Sequence, residues 1–312
     1  MQHKEAGPLP FRSLEPANQN ARTLVSIVTP SFNQGRYLEQ TILSVLDQTY
    51  SHIEYLVIDG GSTDGSVEII KKYESKLAYW HSGPDKGFGD ALAQGFRQSK
   101  GEILAYLNSD DLLAPDAVQK AVAGLARRHD VAMVYGNRVA IDEQGRFLYY
   151  KPNLPILGRT PYLALIISQE ACFWRREAYF RVGGINTDLK FSIDYELFSK
   201  IALTGKVAHE GRVWGFFRKH RASKTMTQND TVGQQEGARV QCSVWRRRVH
   251  PITWLSVQCL MKLYALAAAP FIKKPQWPAC LPRLEKRNLP RRYFDSLHES
   301  SARKRFLRKF FR

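Results

Sequence analysis

One pattern recurs along the first third of the chain: a short apolar run stops at a turn crowded with Asp, Asn and Gly, and a segment of helical period follows. Leu24–Thr29 (LVSIVT) runs into Pro30–Gly35 (PSFNQG), after which Leu38, Ile42, Val45 and Leu46 share one helical face over about 36–48. Glu54–Ile58 (EYLVI) stops at Asp59–Gly65 (DGGSTDG) and leads into a helix reaching Tyr73. The next round has the turn Gly83–Asp90 (GPDKGFGD), a helix to about Lys100 and the strand Glu102–Leu107, which stops at Asn108-Ser109-Asp110-Asp111. Strands that alternate with helices pair in parallel through right-handed crossovers, which sets the class as α/β. Open sheets of this kind bind ligands beyond the carboxyl ends of their strands, so the polar turns mark the expected site.

Beyond them, Pro115 suits the first position of a helix striped by Val118, Ala121, Val122 and Leu125, and a strand is predicted at 131–135. From about 150 to 225 the pattern loosens. Pro152, Pro155 and Pro161 precede an apolar stretch at 162–167, a strand at 171–174, a helix from Ile193 to Leu203 and the basic, aromatic segment Trp214–His220. The chain divides into an extension (1–22), a body (23–225, with halves 23–115 and 116–225) and a basic region (226–312). The first twenty residues hold two prolines before position 11 and no apolar run, so neither a signal peptide nor an anchor is expected there.

Asp59, Asp64, Asp85, Asp90, Asp110 and Asp111 all sit in turns after predicted strands, so one cleft can collect several. Carboxylates gathered in this way repel one another unless a cation with a preference for oxygen, such as Mn²⁺ or Mg²⁺, joins them, and such a cation also anchors a diphosphate. Asp110-Asp111 equally suits a turn that caps the next helix. GGSTDG is neither a GxGxxG fingerprint nor a P-loop, which leaves Asp59 to accept hydrogen bonds from a base or ribose.

Val25–Asn33 (VSIVTPSFN), Leu38–Gln48 (LEQTILSVLDQ), Tyr55–Gly65 (YLVIDGGSTDG), Pro84–Gly95 (PDKGFGDALAQG) and Gly101–Asp111 (GEILAYLNSDD) together resemble the nucleotide-sugar-binding half of the family-2 glycosyltransferases. That resemblance implies the GT-A nucleotide-diphospho-sugar transferase fold: a Rossmann-like, mixed but mainly parallel sheet flanked by helices, here with a C-terminal helical basic extension. It places Thr29, Pro30, Asn33 and Asp59 on the base and ribose, and Asp64, Lys86 and Asp90 further along the donor. Asn108-Ser109-Asp110-Asp111 stands where the family has its DxD metal motif. Asn108 replaces the first Asp, so Asn108 and Asp110 meet the donor while either Asp110 or Asp111 is the main ligand of a Mn²⁺ or Mg²⁺ cofactor.

Phe173–Ile185 (FWRREAYFRVGGI) followed by Ile193–Leu197 (IDYEL) resembles the family's acceptor side, with Asp194 in the place of the general base, although Ile193 precedes it where Glu is common. An Asp there also suits a helix N-terminus. Arg218–Thr225 (RKHRASKT) resembles the family's R-x-H-x-x-S segment, whose His220 completes the metal shell or sits on the pyrophosphate; a basic loop near the phosphates is the other reading. Ser168, Gln169 and Glu170 are candidate acceptor contacts. The resemblance spans roughly 23–225 and implies a non-processive, inverting transfer from a nucleotide-diphosphate sugar to a hydroxyl of a lipid-linked or cell-surface glycan. A processive polysaccharide synthase lacks support because there is no QxxRW segment. A non-catalytic nucleotide-binding membrane scaffold would have no use for Asp194.

The net charge of +17 is concentrated at one end: residues 1–210 hold 23 Lys/Arg against 24 Asp/Glu, residues 211–312 hold 23 against 5. Such a tail meets something anionic. Trp254–Ile272 makes a helix of about 28 Å that can lie in a membrane interface, pack as a buried helix or span, the last opposed by Lys262. Arg303–Arg312 (RKRFLRKFFR) mixes aromatics with basic residues as a membrane-surface helix does. No nucleic-acid module accompanies the charge, so the expected partner is an anionic membrane surface and the expected location the cytosolic face, held peripherally. Four cysteines without CxxC spacing suggest neither a structural zinc nor a disulfide framework.

Overall fold

The computed structural model describes residues 23–155, 167–246, 249–268, 276 and 278–281. Its strands are β1 (Val25–Ser31), β2 (Ile53–Asp59), β3 (Tyr79–Ser82), β4 (Ile103–Tyr106), β5 (Leu112–Leu113), β6 (Val131–Ile141), β7 (Phe147–Lys151), β8 (Cys172–Arg175) and β9 (Lys206–Arg218). The α-helices are α1 (Gly35–Leu46), α2 (Ser66–Lys72), α3 (Phe88–Gln98), α4 (Ala117–Ala126), α5 (Arg176–Arg181), α6 (Ile193–Thr204), α7 (Lys224–Thr227), α8 (Gln234–Ser243) and α9 (Pro251–Ala268). The strands form one mixed sheet in the order β3-β2-β1-β4-β8-β6-β9-β5, with β7 beside β6. β3, β2, β1 and β4 are mutually parallel, whereas β8 runs against both β4 and β6.

β1 is buried along its whole length because it lies between two strands and under helices on both faces. Its side chains alternate between two cores. Val25 and Ile27 pack with Leu38 and Ile42 of α1, while Val28 packs with Leu92 and Phe96 of α3. β2 follows the same rule, with Tyr55 and Val57 in the first core and Leu56 and Ile58 in the second. Gly95 lets α3 approach closely, since a Cβ there would stand 2.4 Å from Val28 Cγ1.

Several expectations change. The strand placed at 131–135 extends to Ile141 and turns through a hairpin into β7, and the segment Trp214–His220, given no secondary structure above, is mostly the end of β9. β3 has no sequence counterpart above: exposed Tyr79 and His81 alternate with half-buried Trp80 and Ser82, so no apolar run announces it. The helix assigned within 254–272 begins earlier, at Pro251, and Ile252, Leu255, Leu260 and Leu263 stand 45–64% exposed, which is not the pattern of a buried helix. Among the described residues no helix is long and apolar enough to cross a membrane. The decapeptide 303–312, the extension 1–22 and most of the stretch 162–167 lie outside the described residues.

Candidate active site

The turns after β1, β3 and β4 open with the β6–β7 hairpin, the start of α6 and the α7–α9 region onto one cleft of about 1280 Å³. Pro30, Asp85, Asn108, Ser109 and Asp110 line it from the strand tips; Arg138, Lys151, Gln169, Glu170 and Asp194 from the β6–β7 hairpin, the stretch before β8 and α6; Lys224, Leu255 and Cys259 from the C-terminal elements.

The carboxylates at the strand tips divide into those that build the turns and those that face the cleft. Asp59 is fully buried and accepts hydrogen bonds from the Gly61 and Ser62 N–H groups (3.0 and 2.9 Å) and the Ser62 and Ser82 hydroxyls (2.5 and 2.7 Å). Gly61 makes this possible with φ of 85°, a conformation that a side chain would strain. Asp64 ties the starts of two helices together: Gly35 N–H donates to Oδ2 at 2.8 Å, and Ser66 donates from its N–H and hydroxyl to Oδ1. Burial pushes its pKa up, but the bonds from Ser66 and Gly35 outweigh that and hold it below the usual value. Asn33, also at positive φ, receives the Thr63 N–H at 3.0 Å and links the first turn to the second. Thr29 is buried and accepts from the Tyr55 hydroxyl at 3.0 Å. Asp90 accepts from the Lys86 N–H and from Gln94 at the start of α3, and the Lys86 side chain is exposed. Of the expected base and ribose contacts, only Pro30 lines the cleft directly. The others shape the turns around it.

Asp110 and Asp111, adjacent in sequence, face opposite ways. Asp110 opens into the cleft and lies 2.8 Å from His220 Nε2, while His220 packs on the Tyr37 ring. Asp111 is 1% exposed and accepts from the Arg218 N–H (2.9 Å) and Asn108 Nδ2 (3.1 Å). Burial, with Asp110 and Glu170 nearby, drives its pKa well above the carboxylate range. A carboxylate turned inward onto Arg218 and Asn108 does not face the cleft, so of the two open candidates the geometry favours Asp110. Among the described residues no three His, Cys, Asp or Glu side chains converge as a metal site. The trio Asp110, Asp111 and His220 is therefore a facing pair plus an inward anchor. Asn108 Oδ1, buried beside the pair without a partner, is a further oxygen donor. Asp110, His220 and Asn108 are thus the residues that would hold an oxygen-preferring cation here.

Arg218 departs from the basic-loop reading. Its guanidinium is buried, donates to Asp110 O, Gln40 Oε1 and the Asp142 and Glu143 carbonyls, and stacks on Tyr37. It clamps β9 to the Asn108–Asp111 turn, while Lys224, over the Phe88 ring, is the cation of that segment that lines the cleft.

Across the cleft, Asp194 is the second residue of α6. Its carboxylate receives the Tyr195 N–H at 2.7 Å. Burial pushes its pKa up to about 6 against these backbone bonds, Glu170 adds to the rise and Lys151 opposes it. A carboxyl at that value is an anion near neutral pH and still basic enough to take a proton. Ser168 is buried and donates to Asn153 Oδ1 at 3.0 Å, whereas Gln169 and Glu170 line the cleft. Gln169 donates to the Tyr106 carbonyl at 2.6 Å and Glu170 pairs with Arg138 at 3.5 Å. Arg138 and Lys151 were not found from sequence. Their signal was a charged residue in each of two otherwise apolar or aromatic strand runs.

A family model described as "Glycosyl transferase family 2" matches residues 26–185. Chondroitin synthase of Escherichia coli is 27% identical over 202 residues, 64% of this chain and 29% of that protein. The chain thus spans less than a third of the length of this curated relative. Among solved structures, the mannosyltransferase PcManGT from Pyrobaculum calidifontis in complex with GDP-Man and Mn²⁺ aligns with TM-score 0.57 at 20% identity, covering 87% of this chain and 80% of that one. TarS 1-349 of S. aureus in complex with UDP-GlcNAc gives 0.56 at 17% identity, covering 77% and 66%. Both likenesses concern the fold, and they agree with the GT-A architecture expected from sequence.

Proposed function

The chain belongs to glycosyl transferase family 2, and we propose that it moves a sugar from a nucleotide-diphosphate sugar to a hydroxyl of a lipid-linked or cell-surface glycan, one residue at a time and with inversion. The observation that carries this reading is that one cleft is lined by both Asp194 and Asp110, the latter 2.8 Å from His220 Nε2. Asp194 takes the proton from the acceptor hydroxyl as that oxygen attacks the anomeric carbon from the face away from the diphosphate. The turns after β1 and β2 hold the nucleotide end, and Lys224 offsets phosphate charge. Asp110 and His220, with Asn108, would hold a divalent cation. When bound, it neutralises the charge that develops on the leaving diphosphate. The solved neighbours with UDP-GlcNAc and with GDP-Man and Mn²⁺ support this donor class and metal.

We place the enzyme peripherally at the cytosolic face of a membrane. The exposed Ile252, Leu255, Leu260 and Leu263 of α9 and the basic excess after residue 210 support that placement. The experiment is hydrolysis of a panel of UDP-, GDP- and dTDP-sugars by purified protein with Mn²⁺ or Mg²⁺. Turnover of at least one donor that is lost in Asp110→Ala is expected; no turnover and no binding across the panel would end the enzyme reading.

A further inference from the structure

Arg138 and Lys151 are paired across the β6–β7 hairpin, Cα opposite Cα. Side chains directly opposite on antiparallel strands project from the same face with Cβ atoms about 4.5–5.5 Å apart, and like charges so placed are destabilising. Both line the cleft, on the side that also carries Glu170 and Asp194. Arg138 has partial compensation, from Glu170 at 3.5 Å and the Phe217 ring at 4.5 Å, yet its Nε is buried without a partner. Lys151 forms no salt bridge among the described residues. Burial, and secondarily Arg138, lower its pKa to about 7 although Glu170 and Asp194 act to raise it, so the nearby carboxylates only partly offset the cost of holding the cation there. A solvated strand end would place such a lysine in water. Here the hairpin holds it inside a cleft, opposite a second cation and beside the proposed base.

We propose that Arg138 and Lys151 form an anion subsite on the acceptor side of the cleft, so that the acceptor sugar or its nearest neighbour carries a carboxylate or a phosphate. This deepens the glycosyltransferase reading and rests on it. An anion between the two cations relieves their repulsion and occupies the unpartnered Arg138 Nε. It also orients the sugar, so that a hydroxyl, rather than the acid group, meets Asp194. A neutral acceptor leaves both cations facing an uncharged ring.

The test uses the full chain with UDP and Mn²⁺, and three probes built on one pyranose: methyl glucoside, methyl glucuronide and glucose 6-phosphate. Affinities are read by saturation-transfer NMR titration. The wild type should bind the glucuronide or the phosphate at least about tenfold more tightly than the glucoside, and whichever acid wins distinguishes a uronate from a phosphate. Lys151→Gln should remove most of that preference and Lys151→Arg should keep most of it. Arg138→Gln serves as a second variant should the first not fold. A wild type that binds neither acid better than the glucoside overturns the inference, as does a preference that survives Lys151→Gln. Acceptor-free donor hydrolysis by the wild type is measured in parallel. Its absence counts against the underlying enzyme reading, whereas an active enzyme without anion preference overturns only the subsite.

Discussion

Asp194→Asn tests whether the carboxyl across from Asp110 is a poised base, because the same burial that makes it basic makes it costly. The group titrates near about 6 in the fold against 3.8 for a free carboxyl. Below about pH 4 it is protonated in both folded and unfolded chains and contributes nothing. Between about 4 and 6 the unfolded chain gives up its proton first, so the folded state binds more protons and stability falls as pH rises. Above about 6 the penalty is constant at about 3 kcal/mol, or about 2–3 allowing for the opening of the side chain to the cleft. Asn keeps the shape and an acceptor for the Tyr195 N–H but carries no charge. In urea unfolding at about pH 7.5 the variant should therefore be more stable than the wild type by roughly 2–3 kcal/mol, and at about pH 5 by roughly half that. Over the same change kcat should fall by about 10²–10⁴, with donor affinity within about twofold. A variant no more stable than the wild type at pH 7.5, or one whose advantage is independent of pH, would refute the strained-carboxylate argument. Loss of donor binding would remove Asp194 from the role of base.

The pH–rate profile of kcat/KM should have an acidic limb near the Asp194 value; Glu170→Gln, which removes a charge that raises it, should move the limb to lower pH, and an unmoved limb would assign it to another group. Asp111→Ala strips the acceptor from the Arg218 N–H and Asn108 Nδ2, and should cost about 1–3 kcal/mol in chemical denaturation, whereas Asp110→Ala should cost little stability but weaken Mn²⁺ binding more than about tenfold in titration calorimetry. Gly95→Ala drives a methyl against Val28 and should lose about 1–3 kcal/mol in the same denaturation assay. Removing residues 303–312, with its six Lys/Arg, should reduce co-sedimentation with phosphatidylserine vesicles while leaving neutral vesicles unaffected; unchanged partition would count against a membrane role for the tail.

Strands β1, β2 and β4 were legible because their signal is local. A buried parallel strand must be apolar on both faces, and LVSIVT and EYLVI say so within six residues. The β6–β7 hairpin and the long β9 were only partly legible, since Gly136-Asn137-Arg138 breaks the apolar run of β6, β7 is mostly half-buried, and the first half of β9 is exposed or half-buried. β3 was illegible because an edge strand with exposed faces needs no apolar run.

The same division holds for the site. Sequence alone determined that Asp-rich turns follow parallel strands, that a family-2 transferase pattern runs through them, and that the positive charge belongs to the last third. Only the tertiary structure decided what each carboxylate does. Asp59 is consumed by backbone N–H groups of its own turn and Asp64 by those of Ser66 and the distant Gly35, Asp111 faces inward to hold Arg218, and Asp110 alone of its pair meets His220 in the cleft. Neighbouring residues in a turn can face opposite directions, and which one reaches the ligand depends on the N–H groups and cations brought to it from more than a hundred residues away, as Arg218 is to Asp111.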